Sequence, residues 1–363
     1  MQFIRSLHSI RGYCALWIAF GHYHFLIDQV DPIYGKQIFR YFMMGITIFF
    51  ILSGFFLSYI YHEKFTSFRN IKNNFIGFII YRLGRVYPLY LTVLLSFAAM
   101  SYLGWTRESS IAENNQFETA FYFPLYLLMM QCWGFLEGRE QFAFNPPSWT
   151  LSVDFLFYLI FPFIFVVIAK LKNISVNLGI IIATYIYYYL SVHDLGVVDT
   201  SNNTKMYFLA SFENNPIEIL PLFIVGICIY NLQSQNFLKS IKWDLVIIIS
   251  IIATIFMMIN DYSLNAILLI TPILLYSLLN ISDKFDRYFS NPVSYYMGRL
   301  AYSIYLWHIP YAIFVNHFYP LKNADIWGIF FIPLACGLII LSSLSYHFIE
   351  NPCRIWIKKN LSS

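Results

Sequence analysis

Long apolar runs alternate with short polar connections along the whole chain, and most runs have the length of a membrane-crossing helix. The first covers about 12–27, and the others lie at 42–61, 86–104, 119–136, 148–169, 176–192, 216–232, 243–260, 264–280, 300–319 and 326–349. About 20 apolar residues in a helix cross the ~30 Å hydrocarbon core, so each run is a candidate span. Short cytoplasmic loops are enriched in Lys and Arg. The basic stretches here are Lys64 to Arg85, Lys170 with Lys172, Lys239 with Lys242, Lys284 to Arg299, and Arg354 to Lys359. An inner N-terminus brings all of them inside, provided that one run does not cross. The weakest run is 119–136, which holds Pro124, Gln131 and Gly134 and is flanked by Glu113, Glu118, Glu137 and Glu140. It is expected to be a re-entrant or outer-surface segment. The predicted fold is an all-α polytopic membrane protein with about ten transmembrane helices in one bundle and both termini cytoplasmic. Residues 1–363 are expected to form a single membrane-embedded domain.

Composition agrees with this reading. Of the 363 residues 59% are hydrophobic and 12% charged, with a mean hydropathy of +0.60. That charged fraction is about half that of a soluble domain. The net charge is +4 and the basic residues are scattered, so no basic stripe marks a nucleic-acid partner. The five cysteines are far apart and lack metal or disulfide spacing, and no metal site is expected. Arg5 and Arg11 ahead of an apolar stretch imitate a signal peptide, but His22 and His24 interrupt it and no small-residue cleavage site follows. The expectation is a first span that stays attached. The 29 Tyr and 37 Phe exceed what interfacial belts need and are expected to pack helix against helix.

Ionisable side chains within a span cost roughly 2.5 to 3.5 kcal/mol each on insertion scales, so each calls for a partner or a task. Arg11 and His22 are three helical turns apart, within about 20° of one face and about 16 Å apart along the axis. His24 points about 200° away from His22 by the same geometry. Arg82 and Arg85 share a face at the cytoplasmic mouth of the third span, where they suit phosphate oxygens or serve as positive-inside anchors. Asp154, with Ser152 and Trp149, lies at the start of a span entered from the outer side, either facing an outer cavity or capping the helix. His308 is a second intramembrane histidine, functional or packed. Together these residues put cations at the cytoplasmic face and His or carboxylate groups deeper. That arrangement suits an anionic donor entering from inside to meet an acceptor further out.

In that order along the chain, these motifs resemble the acyltransferase-3 family of integral membrane acyltransferases, which O-acylate sugars of bacterial surface polysaccharides and some small molecules. Arg11-x10-His22 matches its basic-x10-His signature, Phe49 to Phe55 resembles its second-helix motif, and Arg82-x-x-Arg85 with Tyr87-Pro88 resembles its third-helix arginines. Ser148-Trp149-Thr150-Leu151-Ser152-Val153-Asp154 resembles its Trp-Ser-Leu-Ser-x-Glu stretch. Tyr302 to His308 and the terminal Glu350-Asn351-Pro352 resemble its late motifs. The chain departs from the family at Asp154, where Glu is usual, and at Thr47, where a polar or acidic residue is usual. It also stops soon after Glu350, so the soluble hydrolase-like domain fused to some members is expected to be absent.

The resemblance implies a multi-pass protein of the bacterial inner membrane that transfers an acyl group, most often acetyl, from cytoplasmic acyl-CoA to a glycan or lipid-linked sugar. No cofactor would be bound permanently, and acetyl-CoA would be the donor substrate. Arg11, Arg82 and Arg85 would hold the donor phosphates. His22 would be the general base, with Asp154 or His308 orienting it, and Trp149 and Ser152 would contact the acceptor. Direct transfer and an acyl-histidine relay both fit. The competing classes are a transporter or flippase lined by the same residues, and a noncatalytic membrane subunit.

Overall fold

The computed structural model describes residues 5–26, 44–108, 116–134, 143–194, 216–238, 240–260, 269–319 and 331–361. These residues are almost entirely helical, with no strand among them. Five stretches are long and apolar enough to cross a membrane: Met44–Tyr61, Phe68–Tyr102, Pro146–Ile168, Pro216–Ser234 and Ile332–Asn360. The helices Ile174–Asp194 and Trp243–Ile259 supply shorter apolar stretches. Leu95, Ile182, Ile252 and Ile340 are exposed on the outside of the bundle, as lipid-facing residues are. The chain is a multi-pass membrane protein.

Several runs differ from their expected extent. The third span belongs to a helix of 35 residues, Phe68–Tyr102, started by Ser67, whose hydroxyl accepts from the Asn70 amide. At about 52 Å it exceeds the hydrocarbon core. Arg82 and Arg85 therefore stand in mid-helix, while the basic stretch expected as a loop is mostly helical. The 119–136 segment holds the helix Gln116–Leu127, followed by turns with Met129 in the left-handed region. Twelve residues span about 18 Å, too short to cross. Within 264–280 the described helix is Thr271–Asn280, and residues 261–268 lie outside the described residues.

Two close helix crossings set the interior. The first helix, α1 (Arg5–Leu26), lies against Pro292–Phe318. A Cβ on Gly12 would overlap the Met297 and Gly298 backbone, and one on Gly298 would overlap the backbone of His8 and Ser9. Small residues of this kind let membrane helices approach backbone to backbone. The two helices run parallel: Arg5 stands over the Tyr295 ring, Gly12 meets Gly298, and His22 meets His308. The parallel run agrees with the loop charges, which put the starts of both helices on one side. The second crossing joins Met44–Tyr61 to Pro216–Ser234, where Gly54 abuts the Phe223 carbonyl and Gly226 the Ile51 carbonyl. Buried amides fasten the neighbouring helix ends, with Asn231 donating to the Ile168 carbonyl at 3.1 Å and to Asn177 at 3.1 Å.

Gly298→Ala is expected to cost about 1–3 kcal/mol, because the new methyl meets backbone that cannot move aside. Gly77→Ala, whose Cβ would meet open space, is expected to be neutral or slightly stabilising. Thermal unfolding of the two variants in detergent micelles checks the contrast.

Candidate active site

A cavity of about 100 Å³ lies among α1, Met44–Tyr61, Phe68–Tyr102, Trp149–Ile168 and Pro292–Phe318. Arg11, Arg82, Arg85 and Asp154 all line it. Arg82 is buried, and its guanidinium sits over the rings of Tyr61 at 4.9 Å and Tyr158 at 5.6 Å. Its Nε and one terminal nitrogen have no hydrogen-bond partner among the described residues. Asp154 accepts a hydrogen bond from Ser53 Oγ at 3.1 Å. No ion pair joins it to any of the three arginines among the described residues. Three cations thus share a buried cavity with one carboxylate, and an uncompensated buried charge is costly. Such a site is built for an anion, and the guanidinium fork matches phosphate oxygens.

The cavity has two distinct ends. At one, the Arg11 guanidinium stands 5.6 Å from the Phe56 ring; at the other, Tyr305 meets the Phe49 ring at 5.7 Å. Those two phenylalanines are seven residues apart on one helix, about 10 Å along its axis. Tyr305 forms the far wall. Its hydroxyl donates to the Pro147 carbonyl at 3.0 Å and accepts from Thr150 at 3.0 Å. Behind it lies His308, ring centroid 5.7 Å away, and then His22, whose ring is 4.9 Å from His308.

Both histidines are held alike. His22 Nδ1 is 2.9 Å from the Ile18 carbonyl, and His308 Nδ1 is 2.6 Å from the Tyr305 carbonyl. A carbonyl only accepts, so each Nδ1 carries the proton and each neutral ring keeps its lone pair on Nε2. The helix runs on unbroken here, but Pro310 has no N–H to give the Leu306 carbonyl four residues back. Asn145 replaces that donor, its amide nitrogen reaching the Leu306 carbonyl at 3.2 Å. Asn145 itself is left-handed, at φ 49°.

The residues singled out in the sequence fall into two groups and two exceptions. Arg11, Arg82, Arg85 and Asp154 come together in the cavity, whereas His22 and His308 come together beyond Tyr305. Asp154 stands with the arginines, while His308 is the group against His22. Trp149 and Ser152 lie outside the cavity lining. Trp149 packs on Phe50 with centroids 6.0 Å apart. Ser152 accepts from the Cys132 amide at 3.1 Å, and its carbonyl accepts from Trp133 Nε1 at 2.9 Å, which fastens the 128–134 segment. The side chain of His24 lies outside the described residues. Sequence reasoning assigned no role to Ser53, Asn145, Tyr305 or Glu350. Asn145 carries no local signal, because the carbonyl it serves lies 161 residues away. Glu350 sits in the terminal motif, on a π turn over Tyr346–Glu350 of the kind often found at functional sites. It accepts from Ser303 at 3.1 Å and lies within electrostatic reach of Arg85.

Comparison with known proteins gives the site its family. A family model described as an acyltransferase domain matches residues 4–347. Staphylococcus aureus (strain COL) has a relative named "Putative O-acetyltransferase SACOL0978", 24% identical over 98% of this chain and 58% of its own length. The O-acetyltransferase OatA of Staphylococcus aureus (strain NCTC 8325 / PS 47) is 22% identical over 86% of this chain and 52% of its own length. The chain therefore spans little more than half the length of these relatives. No solved structure matches it.

Asn145→Ala is expected to leave the Leu306 carbonyl without a donor, at a cost of about 1–3 kcal/mol. In a Pro310→Ala background, where the backbone N–H returns, the same substitution is expected to cost less than half as much. A double-mutant cycle on thermal unfolding reads the coupling, and additive effects would dismiss it.

Proposed function

This chain belongs to the acyltransferase-3 family, and on that premise we propose that it is a membrane O-acetyltransferase of the bacterial inner membrane. It acts on a sugar of a surface polysaccharide and uses cytoplasmic acetyl-CoA as donor. The observation that carries this reading is the buried Arg82 guanidinium, short of partners, in a cavity whose far wall backs onto the His308–His22 pair. An anionic head and a base are thereby offered to one extended donor.

The cavity of about 100 Å³ is smaller than the roughly 300–1,000 Å³ of a whole-ligand pocket. The nucleotide of the donor therefore stays at its mouth, with phosphates on Arg11, Arg82 and Arg85, and only the thioester arm enters. For the acetyl carbon to reach the histidines, the Tyr305 side chain must swing out of the wall. His22 Nε2 then takes the proton of the acceptor hydroxyl as its oxygen attacks the thioester carbon. The C–O bond forms, the C–S bond breaks, and the proton passes to the departing thiolate, giving the ester and the free thiol. General base catalysis of this kind is worth about 10²–10⁴ in rate. His308 holds the His22 ring from the side. Asp154, bonded to Ser53, offsets part of the arginine charge. Ser152 acts on the acceptor side through the 128–134 segment that it fastens, and Trp149 through its packing on Phe50.

The test compares ester-linked acetyl on the host's surface polysaccharide in three strains at matched protein levels. They carry the unaltered chain, His22→Ala, or Arg82→Ala with Arg85→Ala. Ester is expected to fall at least about 10²-fold with His22→Ala. The double arginine variant is expected to raise the KM for acetyl-CoA in membranes about tenfold or more. Unchanged ester in the His22→Ala strain overturns the reading. Loss of the polysaccharide itself in place of the ester points to transport.

A further inference from the structure

Among the buried polar atoms with no hydrogen-bond partner in the described residues are Tyr23 Oη, His308 Nε2 and Asn145 Oδ1. Their residues are 2%, 0% and 1% exposed. Native interiors rarely leave such atoms unpaired, and each calls for an explanation. Two of them belong to neighbouring rings. The Tyr23 ring stands 6.5 Å from that of His308, which stands 4.9 Å from His22. Asn145 is anchored on the carbonyl of Leu306, two residues before His308.

The chemistry of the set is specific. The phenol of Tyr23 has a proton to give, whereas His308 Nε2 has a lone pair and no proton, because its Nδ1–H is given to the Tyr305 carbonyl. A hydroxyl group answers both at once, accepting from the phenol and donating to the imidazole. His22 remains beside them for a different hydroxyl.

We propose that Tyr23 Oη and His308 Nε2 form a binding subsite for a second hydroxyl of the acceptor, adjacent to the one that reacts at His22. The acceptor class is then a vicinal diol, as on a sugar ring, in preference to an isolated alcohol. The inference rests on the acyl-transfer reading above, but Tyr23 has no part in that reading.

The experiment uses the purified full chain and its Tyr23→Phe variant, which loses only the phenolic oxygen. Radiolabelled acetyl-CoA is the donor, and detergent-solubilised membranes from a deletion strain supply the acceptor. The half-saturating amount of membrane extract is expected to rise about tenfold, the worth of one hydrogen bond. The KM for acetyl-CoA is expected to stay within about twofold. The melting temperature without acceptor is expected to hold or rise, since the substitution removes an unpaired buried group. An unchanged half-saturating amount means that the atoms hold only a trapped water, and overturns the proposal. A fall in melting temperature of several degrees assigns the hydroxyl to structure and overturns it too. If the unaltered chain itself forms no labelled ester, the acyl-transfer reading has failed, and the acceptor subsite falls with it.

Discussion

The backbone contact between Gly12 and Gly298 fixes the geometry on which the site depends. Without side chains at the crossing, α1 and Pro292–Phe318 run parallel in close contact, and a single register carries through the pair. Ten residues beyond the crossing on each helix, the register delivers His22 to one side of a contact and His308 to the other. In lipid there is no hydrophobic drive to push helices together, so close packing of small residues supplies much of the association. A histidine pair assembled this way is as precise as the crossing beneath it, because neither histidine lies on a loop.

Charge is the second organising constraint. Arg11, Arg82 and Arg85 are drawn into the bundle by their neighbours on three helices, and aromatic faces around Arg82 replace part of its hydration. Asp154 is the carboxylate that shares their cavity. Glu350, within electrostatic reach of Arg85, adds a second carboxylate outside the cavity lining, so three cations face two carboxylates. Tyr305 separates this charged cavity from the His308–His22 pair. Its two hydrogen bonds to Pro147 and Thr150 tie the partition to the start of Trp149–Ile168.

Much of this was legible in the residues themselves. The apolar runs announced a helical membrane protein, and helical geometry put Arg11 and His22 on one face. The weak 119–136 run matches a helix too short to cross. Other features depend on contacts that no local pattern encodes. Phe68–Tyr102 extends through a basic stretch because Ser67 caps it at its start and it runs unbroken past Pro88, so Arg82 moved from a mouth to an interior. Ser152 and Trp149 lie in a motif yet turn to the 128–134 segment and to Phe50, because neighbouring residues on one helix face different partners. The partnership of Asn145 with Pro310 joins positions more than 150 residues apart, and its logic appears only once the Leu306 carbonyl is seen to lack its usual donor.

The wall at Tyr305 has a consequence for the cell as well as for the reaction. A polar cavity on one side and a pair of imidazoles on the other, if joined by water, form the kind of relay that lets protons run down a membrane potential. A phenol ring wedged between them, its hydroxyl committed to two protein partners, breaks the relay whenever no donor is seated. On the proposed reading, the side chain that moves to admit the donor therefore also insulates the bilayer while the site is empty, and the energy stored across the membrane is not spent there.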